Sequence, residues 1–94
     1  MKTRRRVVEV GEFAIGPEEP AYVIGVVSRL VGLPVWTLRI LDREGVVRPR
    51  ARAGRARLYS MIEVRRLVRV RYWMVDRHVN VEGVRALLEL EQTS

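Results

Sequence analysis

Residues 32–60 decide the fold: Gly32-Leu33-Pro34-Val35-Trp36-Thr37-Leu38-Arg39-Ile40-Leu41-Asp42-Arg43-Glu44-Gly45, then Val46-Val47-Arg48-Pro49-Arg50-Ala51-Arg52-Ala53-Gly54-Arg55-Ala56-Arg57-Leu58-Tyr59-Ser60. Gly32-Leu33-Pro34 reads as a tight turn, because proline fixes φ and suits the opening of a helix. Beyond it Val35, Leu38 and Leu41 recur at helical spacing until Gly45 stops the pattern. Val46-Val47 is expected as a short strand, Arg48 to Arg55 as a loop containing Pro49 and Gly54, and Ala56 to Tyr59 as the returning strand of a hairpin.

Upstream, Ile24, Val27 and Val31 recur at helical spacing with Leu30 beside them, which predicts a helix over 24–31 that ends at Gly32. Helix, three-residue turn and helix therefore follow one another. Downstream, Ser60-Met61-Ile62-Glu63 fits a capping box, in which serine and glutamate satisfy the free donors at a helix start. The third helix is predicted to run to about Val75, followed by a linker over 76–79. Asn80 is expected to cap a last helix that carries Val84, Leu87 and Leu88 and ends before Gln92. The fold class is mainly α with a small β-hairpin, a winged helix-turn-helix of four helices plus a wing. Residues 1–21, with Gly11, Gly16, Pro17 and Pro20, read as a flexible or strand-like arm, 22–91 as the domain and 92–94 as a tail.

Ninety-four residues allow one domain with a modest core, and no apolar run approaches the roughly 20 residues of a membrane span. A cytoplasmic, nucleoid-associated protein is expected, with no membrane partner. Without cysteine and with a single histidine, thiol, zinc and disulfide chemistry are not expected. His78 beside Asp76 lacks a nucleophile, cofactor motif or phosphate loop around it, so the chain is read as a non-enzyme with no cofactor. Tyr72, Trp73 and Met74 read as interhelical packing.

The formal charge of +7 is concentrated, since residues 22–60 carry a net +6. On a helical wheel Leu38 and Leu41 point inward while Trp36, Arg39, Ile40 and Arg43 share the opposite face. Two cations with two large apolar groups suit the major groove, where arginine meets phosphate or guanine and apolar groups meet thymine methyls. The alternative is that the arginines are solvated and that Trp36 and Ile40 pack on a neighbour. Arg48, Arg50, Arg52, Arg55 and Arg57 follow with no acid among them. Such a loop is expected to be solvated or to face an anion, and beside a helix-turn-helix that anion is the phosphate backbone or minor groove of double-stranded DNA.

In order and spacing, Tyr22-Val23-Ile24-Gly25, Gly32-Leu33, Thr37-Leu38-Arg39, Glu44-Gly45-Val46-Val47-Arg48-Pro49 and Arg57-Leu58-Tyr59-Ser60 resemble the signature of MerR-type transcription regulators. Val79-Asn80-Val81-Glu82-Gly83-Val84-Arg85 is similar to a segment of the HspR-type heat-shock repressors within that family. The resemblance implies a sequence-specific regulator, a repressor of heat-shock or chaperone genes, that binds an inverted repeat as a homodimer with the chaperone DnaK as co-repressor. It implies that Thr37 and Arg39 contact the DNA backbone, that Arg57 reaches a phosphate or the minor groove, and that Tyr59 braces the wing. Ile40 and Leu41 stand where the family often has aromatics, and Trp36 either substitutes for their contact or packs near the turn. The family's long dimerising helix is not evident; the arm, or Leu87, Leu88 and Leu90 of the last helix, are the candidate dimer surfaces, the alternative being that these leucines simply finish the core. Two other roles fit the same pattern: an excisionase-like or architectural DNA binder, and a protein-interaction module on this scaffold.

Overall fold

The computed structural model describes residues 15–93. Its elements in chain order are β1 (Tyr22–Val23), α1 (Ile24–Val31), α2 (Val35–Arg43), β2 (Ala51–Ala53), β3 (Ala56–Tyr59), α3 (Met61–Arg71), a π-helical turn (Tyr72–Asp76) and α4 (Val81–Thr93). Helix α1 has the predicted bounds, and α2 lies between the predicted turn and Gly45. Gly32 ends α1 in the left-handed region (φ 76°), where its N–H donates to the Ser28 carbonyl at 2.9 Å. The chain then bends by 108° into α2, the angle range of a helix-turn-helix.

The second helix ends in a Schellman motif. Gly45 adopts φ 73°, its N–H donates to the Asp42 carbonyl at 3.0 Å, and the Val46 N–H donates to the Leu41 carbonyl at 2.9 Å. This corrects the strand expected at Val46-Val47. Those residues complete the helix terminus, with Val47 only 3% exposed in the core, and the outgoing strand of the wing begins later at Ala51. Across the wing Ala51 faces Leu58, Arg52 faces Arg57 and Ala53 faces Ala56. Gly54, at φ 61°, makes the tip.

A third strand was not expected. Tyr22 and Val23 pair antiparallel with Tyr59 and Leu58, giving the sheet order β1-β3-β2. The Ala21 N–H extends this ladder to the Tyr59 carbonyl, and the Ile62 N–H donates to the Pro17 carbonyl. Residues 15–21 are thus tied to the domain, while the rest of the expected arm, residues 1–14, lies outside the described residues.

Val27 and Val31 of α1, Leu38 and Leu41 of α2, Tyr59 of β3, Val64, Leu67 and Val70 of α3, and Val84 and Leu88 of α4 form one buried core. The capping box at Ser60 and Glu63 is present. Helix α3 continues into the π-helical turn and stops at His78, which holds φ 58°. Asn80 caps α4 by accepting the Gly83 N–H at 2.8 Å, and this helix runs to Thr93, past the predicted end. No single helix among the described residues is long and apolar enough to cross a membrane.

Candidate nucleic-acid interface

Helix α2 buries Leu38 and Leu41 and turns Arg39 and Arg43 outward, as the wheel predicts. Trp36, in its first turn, is 65% exposed, which answers the question of whether it packs inward. Ile40 is half-buried. Thr37 differs from expectation: it is buried at 6% exposure rather than set on the outward face.

The wing arginines divide into two sets. Arg55 is exposed beside the glycine tip, and Arg48 is exposed with its guanidinium folded over Gly45 at the end of α2. Together with Arg39 and Arg43, they have no ion-pair partner among the described residues. The other three are held by two buried acids. Asp42, 4% exposed, accepts from Arg52 Nη2 on Oδ1 at 2.9 Å and on Oδ2 at 2.7 Å, and from Arg57 Nε on Oδ2 at 2.8 Å. Glu63, 3% exposed, accepts from Arg50 Nε and Nη2 on Oε2 at 3.1 and 2.8 Å. Glu18 lies 4.0 Å from Arg50 on its outer side.

The loop, expected to be solvated or to face an anion, thus meets anions that the fold itself supplies to three of its five arginines. Its sequence neighbours contain no acid, but the fold brings one from α2 and one from α3. These pairs do not cancel the charge: Asp42 shared between two guanidinium groups leaves a local +1. Burial by itself would raise the Asp42 carboxyl, yet the hydrogen bonds and charges of Arg57 and Arg52 outweigh it and hold the group below the ordinary aspartate range. Burial likewise opposes ionisation of Glu63, and the Ser60 N–H, the Ser60 hydroxyl and Arg50 overcome it.

Tyr59, a candidate among the DNA-facing residues of the wing but expected to brace it, is wholly buried between wing and core, and its hydroxyl has no hydrogen-bond partner among the described residues. Burial, then the charge of Asp42, pushes that phenol above its ordinary value. Asp42 is the residue that sequence reasoning passed over. The available signal was an acid four residues after inward Leu38, on the buried face of a helix that precedes an arginine-rich loop.

The outward set is one exposed aromatic and four arginines: Trp36, Arg39 and Arg43 on a helix that a three-residue turn and a capped terminus hold against the core, Arg48 just beyond that helix, and Arg55 at the wing tip. Such a surface can meet a polyanion with a groove. Among the described residues there is no group of acids and histidine able to hold a metal ion.

Comparison with known proteins gives two matches. Residues 22–91 match the family described as MerR HTH family regulatory protein. A Streptomyces coelicolor protein described as a heat shock protein, HspR, is 37% identical over 91 residues, which are 97% of this chain and 58% of that protein. The chain thus spans little more than half the length of that relative.

Proposed function

The chain belongs to the MerR helix-turn-helix family of regulatory proteins, and from that premise we propose that it is a sequence-specific regulator of transcription that binds double-stranded DNA. Helix α2 enters the major groove, and the wing lies against the adjoining phosphate backbone. The observation that carries this reading is the outward set itself: Arg39, Arg43, Arg48 and Arg55 have no acid partner among the described residues and stand with exposed Trp36 on the turn-helix-wing unit. Arg39 and Arg43 are the candidates for guanine or phosphate, Trp36 and Ile40 for thymine methyl or sugar, and Arg48 and Arg55 for backbone phosphate.

The finer reading follows the family resemblance. The protein acts as a repressor of stress-response genes and binds an inverted repeat as a homodimer, because one such module buries too little surface for high specificity. A DnaK-type chaperone as co-repressor belongs to this reading through the family resemblance. Selection of bound duplexes from a random pool, followed by a salt titration of the best binder, tests it. An inverted repeat bound with a log-log salt slope on the order of −4 or steeper is expected. Binding without an enriched sequence moves the assignment to an architectural protein, and no duplex binding moves it to a protein-interaction module.

A further inference from the structure

We propose that Asp42 is a positioning residue of the DNA interface: its buried carboxylate ties the arginine pair of the wing to α2, so that helix and wing meet the duplex as one unit. The inference rests on the DNA-binding reading above.

Arg52 and Arg57 stand directly opposite each other on β2 and β3. Like charges in that cross-strand position repel. Here one carboxylate, supplied 10 and 15 residues earlier in the chain, bonds to both. The strands themselves are three and four residues long, and a hairpin of that size has little stability of its own. Its other ties among the described residues include the short pairing of β1 with β3, Tyr59 buried in the core and the Arg50–Glu63 bond at its base. Asp42 is the only one of these anchors that comes from α2, the helix whose orientation the wing must match.

The same geometry leaves the guanidinium groups partly unspent. Asp42 engages Nη2 of Arg52 and Nε of Arg57, while the two side chains are 50% and 26% exposed. Each fork retains N–H groups beyond those given to Asp42, so the tie that fixes the wing also sets the direction of donors suited to backbone phosphate.

Simple charge and positioning make opposite predictions for Asp42→Asn. Removing a negative charge beside DNA strengthens binding to any duplex; releasing the wing weakens binding to the selected site. Positioning predicts that D42N, folded at neutral pH by circular dichroism, loses about tenfold in affinity for the selected duplex. Its binding to unrelated duplex is undiminished, its salt slope is steeper, and 15N relaxation shows greater fast motion at residues 51–57 than in the unaltered protein. Unchanged discrimination with an equally rigid wing overturns the proposal.

Should D42N fail to fold, Arg52→Gln decides, since Asp42 then keeps Arg57. A residue that only touches phosphate lowers the salt slope by about one and leaves wing motion as it was, which overturns the tie; increased wing motion supports it. Failure of the unaltered protein to bind any duplex removes the DNA reading instead, and the relaxation measurement still reports on the tie.

Discussion

Arg50 lies against Glu63, with Nε and Nη2 both donating to Oε2 at 3.1 and 2.8 Å, while Oε1 of that carboxylate receives the Ser60 N–H at 2.7 Å and hydroxyl at 2.8 Å. One buried group thus caps α3 and anchors the base of the wing. Glu63→Gln removes the charge from both contacts and is expected to cost about 1–3 kcal/mol in denaturant unfolding. Arg50→Gln is expected to cost about 1 kcal/mol or less, because its side chain is 35% exposed and Ser60 still satisfies Glu63. Equal losses from the two variants would show that the cap contributes nothing beyond the ion pair.

Acid should unfold the protein through these same groups. Asp42 and Glu63 both titrate below their ordinary values in the folded state. At pH values between folded and unfolded constants the unfolded chain holds more protons, so stability rises with pH there. The contribution is fully present above the unfolded values of about 3.9 and 4.3 and is lost as pH falls through the lower folded ones. Stability measured from pH 7 to 2 should therefore fall steeply only below about pH 4. Asp42→Asn and Glu63→Gln should each flatten that limb; an unchanged acid limb in both would contradict the assignment.

Gly45 holds φ 73° at the end of α2, and a Cβ there would meet Arg48 Nη2 at 3.2 Å. Gly45→Ala is expected to lose about 1–2 kcal/mol, since an L side chain is strained in the left-handed region. His78 presents the reverse case, an exposed non-glycine residue at φ 58°. His78→Gly is expected to gain about 0.5–1 kcal/mol, the relief of strain being partly offset by the freer unfolded chain. Thermal unfolding of both variants checks the two signs together.

These glycine positions also show what the sequence discloses. Gly32, Pro34 and Gly45 are local punctuation, so the bounds of α1 and the extent of α2 could be read from them. Ser60 with Glu63 and Asn80 before Gly83 act over three residues and were equally legible. Val46-Val47 misled because two adjacent valines carry strand preference, whereas the Leu41 carbonyl and the core claimed them. Tyr22–Val23 is too short to declare itself as a strand. The pairing of Asp42 with Arg52 and Arg57 depends on the wing folding back over α2, which no periodicity encodes. The outward face of α2 was legible because helical spacing alone fixes it; which wing arginines remain without an acid was not.

That division among the arginines yields a direct comparison. Arg39→Ala and Arg55→Ala remove cations with no acid partner among the described residues, so stability should change by no more than about 0.5 kcal/mol. Loss of Arg55, at the wing tip, should weaken all duplexes alike and reduce the salt slope by about one. Loss of Arg39, on the outward side of α2, should cost about 1–3 kcal/mol at the selected site and relax its sequence preference. Electrophoretic competition between selected and scrambled duplexes separates these patterns; a uniform loss for Arg39→Ala would assign it to phosphate rather than base.

Trp36 offers the last test because a large apolar side chain 65% exposed in the first turn of α2 contributes little to the core. Trp36→Ala should leave stability within about 0.5 kcal/mol of the unaltered protein. At the interface the ring can cover a thymine methyl or sugar, and burying it there is worth about 1.5–3 kcal/mol. The protein contains a second tryptophan, Trp73, which is half-buried beside Tyr72 with ring centroids 5.0 Å apart. A Trp73→Phe background therefore isolates the Trp36 fluorescence. Titration with the selected duplex should quench or blue-shift that emission, and Trp36→Ala should weaken binding. Emission unaltered by saturating duplex would place Trp36 outside the interface and leave the arginines to carry the contact.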